Sequence, residues 1–414
     1  MMYQGFLVLL FCALSVLSQQ IVSDPGVFGP SIELVHLYND EFPSGIAVSA
    51  SGRKFTNYPS NLDPNNTKYN VAELTSYDTE MPYPNAEINT PPGGQINYTT
   101  GSPVGANNQN YFINVQSVVI DAMDRLWILD AGRPSTLSGS GTLSSHGGVK
   151  LIGIDLSTNT VFTTIIFPAT VAYPDSNFND VRFDLRPSIT ASGQGVAYIT
   201  DSSTEGRNGI VIVDLGTSLS WRHLDNAPQV HAERQSVPFI WGEAVYSIAG
   251  YGLPITRVLY GADGADGITL SADGETLYWT AVGSRYLYSV PTALLRDNSP
   301  TSELLAQASI VSHSVIGISD GLETDSNGLV YTGNFEQNAI NIFDPASGMT
   351  RVFVRDPRIG WTDAMFIATD GYVYFTENQL WRTPSHFPGT ERRVRPFALF
   401  RAKLPDNGTK VQLL

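Results

Sequence analysis

Residues 361–382, WTDAMFIATDGYVYFTENQLWR, carry the pattern on which the fold reading rests. A polar-small pair, Asp363-Ala364, opens a short apolar run, Asp370-Gly371 turns it, and the β-rich run YVYFT leads into the polar cluster Glu377-Asn378-Gln379. Asp-Gly between two β-prone runs is a strong hairpin signal, because a two-residue loop needs positive φ and these residues tolerate it. The same phrase recurs upstream: SGIAVSASG at 44–52, QSVVIDAMD at 116–124, NDVRFDL at 179–185, DGITLSADG at 266–274 and DGLETDSNG at 320–328. All but the 179–185 copy place the turn at one offset from the opening pair. A constant offset distinguishes a repeat from coincidence.

An aromatic or β-branched run follows each turn, as in 126–129, 196–200, 276–280 and 329–332, and further strands fill the intervals, such as 151–155 with 161–167. Four strands per repeat is the arithmetic of a propeller blade. The reading is therefore all-β: a six-bladed β-propeller with four-stranded blades around a central channel, closed by 32–37 pairing beside 397–404. Residues 21–414 form one propeller domain, with long loop insertions near 57–112 and 228–263. Only 292–296 and 302–309 read as short helices.

Residues 6–17 form an uncharged apolar run too short to span a bilayer, so 1–20 read as a signal peptide and the protein as secretory or extracellular. Cys12, the single cysteine, falls inside that run, which leaves the rest without a disulfide or thiolate. Asn65, Asn97 and Asn407 fit the N-glycosylation acceptor pattern. A net charge of −15 argues against nucleic acid or anionic membrane as partner. The 6 histidines are scattered, and neither a phosphate loop nor a dinucleotide fingerprint appears.

In a propeller the start of each innermost strand and the loop after the second strand share one face. Ser44, Gln116, Asn179 with Asp180, Asp266, Asp320 and Asp363 should then ring one channel mouth. Asp130 with Arg133, Asp201 with Glu205, Arg285, Asn334 with Glu336, and Glu377 with Asn378 should surround them. Converging carboxylates, amides and arginines suit a polar ligand or a proton transfer. The same residue types also pin turns and neighbouring blades.

The segments VQSVVIDAMDRLWILDAGR at 115–133, KLIGID at 150–155 and AYITDS at 197–202 together resemble the signature region of the Yellow and major royal jelly proteins. RNGIVIVDLGTSLSWRHLDN at 207–226 and FTENQLWR at 375–382 resemble their microbial and fungal branch. That resemblance implies a secreted six-bladed propeller, and a role among dopachrome-type conversion, binding of aromatic amines, nutrition, or secondary metabolism including hetero-Diels–Alder coupling. The disulfides of insect members do not transfer, for want of cysteines. A second likeness, at Asn179-Asp180, Asp266-Gly267 and Asp320-Gly321, is to the metal-holding positions of gluconolactonase/regucalcin-like propellers. Ser44 stands where that family has a glutamate.

The expectation is an enzyme acting on a quinoid or phenolic molecule, with a terpene alkene as a possible second reactant and no redox cofactor; no metal ligand is assigned, although a Ca²⁺ at the site stays open. Asp320, Asp363, Glu377 and Arg133 are the candidate catalytic residues. Gln116, Asn179, Arg182, Asp201, Trp241, Asp266, Arg285, Asn334, Phe335, Trp361 and Asn378 are the candidate substrate-binding residues. The alternatives are a non-catalytic binder of aromatic amines or phenols and a metal-dependent lactonase-like hydrolase.

Overall fold

The computed structural model describes residues 24–139, 141–233, 236–245, 247–248, 258–259, 263–386 and 390–414. The expected signal segment with its Cys12, and parts of the expected insertion near 228–263, lie outside the described residues. Six four-stranded antiparallel sheets are the blades of a propeller. Their innermost strands are Ile46–Val48, Val115–Ile120, Phe178–Asp184, Ala265–Leu270, Leu322–Thr324 and Thr362–Ile367. Second strands such as Leu126–Asp130 and Val196–Asp201 are buried along their whole length, because blades pack on both faces; they read as continuous apolar runs. The outermost strands meet water, as Thr160–Ile166 does with alternating and exposed positions.

Glu33–Tyr38 closes the circle by pairing with Phe397–Lys403, Leu37 opposite Ala398. Thr292–Arg296 and Ser302–Ala308 are short helices. The interval 57–112 differs from the expected loop insertion: Val71–Leu74 and Glu80–Pro82 are the outer half of blade 1, and Ile96–Asn97 pairs with Val104–Gly105 in a small hairpin. These strands are short and broken by Asn and Pro, so they carry little periodic signal.

The opening pairs have a structural reason. In blades 3, 4 and 6 they form β-bulges, 179–180, 266–267 and 363–364 each standing opposite a single threonine, Thr200, Thr280 or Thr376. A bulge breaks strict alternation and re-aims side chains, which carries polar groups to the channel mouth. The glycine of the pair answers to the next blade: a Cβ on Gly267 would lie 2.0 Å from the Asp320 carbonyl oxygen. Threonines then staple blades together, Thr200 Oγ1 donating to Asp266 O and Thr376 Oγ1 to Ser44 O, each at 2.6 Å.

Candidate active site

The bulged pairs bring three carboxyls together at the ring mouth. Asp266 and Asp320 lie within hydrogen-bonding reach of each other, and Asp363 is close enough to feel both. Burial pushes all three well above the ordinary carboxylate range, and their mutual repulsion adds to the shift. Two bare carboxylates in contact would repel, so a proton between Asp266 and Asp320 satisfies the pair. Neutral donors hold each member in place. Asn179 Nδ2 donates to Asp266 Oδ2 at 2.5 Å, Trp361 Nε1 to Asp320 Oδ2 at 2.7 Å, and Asn378 Nδ2 to Asp363 Oδ2 at 2.5 Å. The Trp361 ring stacks on Phe335 at 4.5 Å and meets the edge of His386 at 5.9 Å, forming an apolar wall beside the acids.

The amide chain continues around the mouth. Gln116 Nε2 donates to Asn177 Oδ1 (3.2 Å), while Asn177 and Asn179 both donate to Ser202 Oγ (3.0 and 3.1 Å). On this arc Ser117 Oγ donates to Asp180.

Other candidates serve the frame. Asp130 accepts from the backbone N–H groups of Ile113, Asn114 and Gly132 and pairs with Lys150 at 2.9 Å, both side chains fully buried. Asp201 does the same with Asn177 N–H and Arg222. Glu377 accepts from Gly360 N–H, Trp361 N–H and Thr362 Oγ1; burial raises it to about 7 against these three bonds, which favour the anion. Each of these groups fixes the segment entering its blade.

Arg133 spans Thr142 O, Asp175 O and Glu205, and Arg285 pairs through two nitrogens with Glu336 at 2.6 and 2.7 Å. Arg182 is bound to Asp180, Leu322 O and Glu323, and it lines a small cavity with Thr269 and Lys410. Trp241 is exposed on the hairpin Phe239–Ile240 with Glu243–Ala244, which is tied to blade 5 by Phe239 N–H donating to Glu336. Asn334 is buried against Gly317. Asn65 and Asn407 are exposed, and Asn97 accepts from both Thr99 N–H and its hydroxyl.

Sequence reasoning missed Asn177, Lys150 and Asp263. Asp263 interacts electrostatically with Asp266 and Asp320, and burial raises it to about 6. A polar residue just ahead of an inner strand was the available signal for Asn177 and Asp263. Among the described residues no group of three or more His, Cys, Asp or Glu is arranged to hold a metal ion.

The family described as Major royal jelly protein matches residues 113–407. No curated protein matches the chain. Among solved structures, the chain is similar to a luciferin-regenerating enzyme at 10% identity and TM-score 0.50, covering 92% of this chain and 97% of that one. It is also similar to the calcium-binding protein regucalcin from Agrobacterium tumefaciens (12%, TM-score 0.48, 92% and 96% covered). A gluconolactonase from Xanthomonas campestris is a further likeness (12%, TM-score 0.45, 90% and 89%). At 10% identity, the likeness to the luciferin-regenerating enzyme is one of fold.

Proposed function

The chain belongs to the major royal jelly protein family, and from that premise we propose that it is an enzyme of the secretory pathway that moves a proton on a quinoid or phenolic small molecule without a redox cofactor. The observation that carries this reading is the buried Asp266–Asp320 pair beside the Trp361–Phe335 wall. One carboxylate and one carboxylic acid in contact supply a base and an acid in the same cleft. In a tautomerisation, the carboxylate takes a proton from the substrate and the acid gives one to the quinoid oxygen, so the product is an isomer. With an ortho-hydroxybenzyl alcohol, the acid protonates the leaving hydroxyl and the base takes the phenolic proton, giving water and a quinone methide. An alkene held on the apolar wall then adds without further proton transfer; holding both reactants together is worth several kcal/mol.

Turnover of a panel of quinoid tautomers and hydroxybenzyl alcohols tests the reading. Activity that survives EDTA and is lost in Asp320→Asn supports it, and an unchanged Asp320→Asn rejects it. Abolition by EDTA replaces it with a metal-assisted hydrolase. A second reading, a binder of aromatic amines, is favoured by the absence of a paired cation at Asp266, Asp320 and Asp363 among the described residues. Saturable amine binding with no turnover of any substrate would establish it.

A further inference from the structure

The far end of the channel, where the innermost strands finish, is covered by the segment that follows the last strand. After the turn Pro405–Asn407, residues 408–413 cross that opening and touch five blades in succession. Ser326 N–H of blade 5 donates to Thr409 O at 2.8 Å, and Thr409 Oγ1 reaches Ala368 O of blade 6. Lys410 extends its ammonium over the Phe366 ring to Asp121 O of blade 2, at 2.8 Å. Leu185 N–H of blade 3 donates to Leu413 O at 3.0 Å, and Leu413 is buried with Ile268 and Leu270 of blade 4. A cavity of about 60 Å³ remains between the segment and the wall, lined by Arg182, Thr269, Glu323 and Lys410 among others.

The segment is attached differently from the blades. Its only β pairing among the described residues is one bridge, Lys410 opposite Asp325, and it is otherwise held by scattered hydrogen bonds, the Lys410 ammonium over Phe366, and the apolar side chains of Val411 and Leu413. The wall offers carbonyl oxygens at strand ends, a half-buried acid at Glu323 and an aromatic face at Phe366. These suit an extended peptide with a lysine flanked by small and apolar residues. We propose that the far mouth is a peptide-binding site for such a lysine-bearing segment, filled in this chain by its own residues 408–413. The seated segment makes the channel single-mouthed, so small molecules enter and leave by the acid ring alone.

Cys12 is the only cysteine, so a Cys12→Ser, Thr269→Cys variant carries a single reporter thiol, on the cavity wall. Maleimide labelling should be slow in the full chain and at least tenfold faster in a chain ending at Asn407. Added peptide GTKVQLL should restore protection, and GTAVQLL should restore less. Equal labelling of the two chains with sheet circular dichroism retained overturns the proposal, as does failure of GTKVQLL to protect. If the shortened chain does not fold, full-length Lys410→Glu carrying the same cysteine decides. Labelling several-fold faster is expected, because the new carboxylate faces Glu323, and an unchanged rate overturns the proposal.

Discussion

The ring mouth has two unlike halves. In blades 2 and 3 the carboxylates have cations: Asp130 has Lys150, Asp201 has Arg222, Asp180 has Arg182 and Glu205 has Arg133. In blades 4 to 6, Asp266, Asp320 and Asp363 have amide and indole donors and one another, with no cation paired to them among the described residues. Both halves arise from the same strand geometry. The difference teaches that a buried carboxylate with a cation and backbone donors is a fastener, whereas one held by neutral donors beside its own kind stores a proton.

The largest expected effect lies in the second half. Asp320→Asn keeps the shape and removes the exchangeable proton, and turnover should fall by roughly 10²- to 10⁴-fold, read from initial rates on a substrate that wild type converts. The same substitution should alter stability with the opposite sign. Asp320 is raised in the folded protein, so the stability it contributes is complete below the ordinary carboxylate pKa and is lost as pH rises through the folded value. Melting temperatures measured from pH 5 to 8 should therefore fall less steeply in Asp320→Asn than in wild type. Parallel curves would remove the distinction between the halves.

Asp130→Asn tests the fastener half. It strands the Lys150 ammonium in a fully buried site, a loss of about 3–5 kcal/mol in chemical denaturation. A cost below that of an ordinary surface substitution would break the comparison. Thr376→Val removes the staple from blade 6 to Ser44 O and should cost about 1 kcal/mol, without changing the pH profile of turnover. Smallest is Arg285→Met. The Arg285–Glu336 pair is partly exposed at the rim and should be worth under about 1 kcal/mol, so a large loss of activity there would move the site outward.

Much of this was legible in the chain. The fixed offset between Asp266-Gly267 and its turn, and between Asp320-Gly321 and its own, was enough to place both acids at one mouth. The closing strand showed itself as an apolar run left over ahead of the first repeat. What sequence could not separate was Glu377 and Asp201 from Asp320, since all are acids at strand ends. Their roles depend on Thr362, Arg222 and Trp361, partners supplied by the fold rather than by spacing. Lys150 was hidden because it opens an apolar strand, KLIGID, and only the packed structure shows that its charge is spent on Asp130. The cover formed by 408–413 was equally invisible, because Lys410 meets Asp121 across 289 residues of sequence.

The pairing of Glu33–Tyr38 with Phe397–Lys403 also governs how the protein can be made. On the ribosome the first strand emerges more than three hundred residues before its partner, so the nascent chain is an open arc with two unpaired sheet edges. Such edges invite association with other chains until the last blade is complete. A transcript truncated just before residue 397 would thus yield a product with five whole blades and a strong tendency to aggregate.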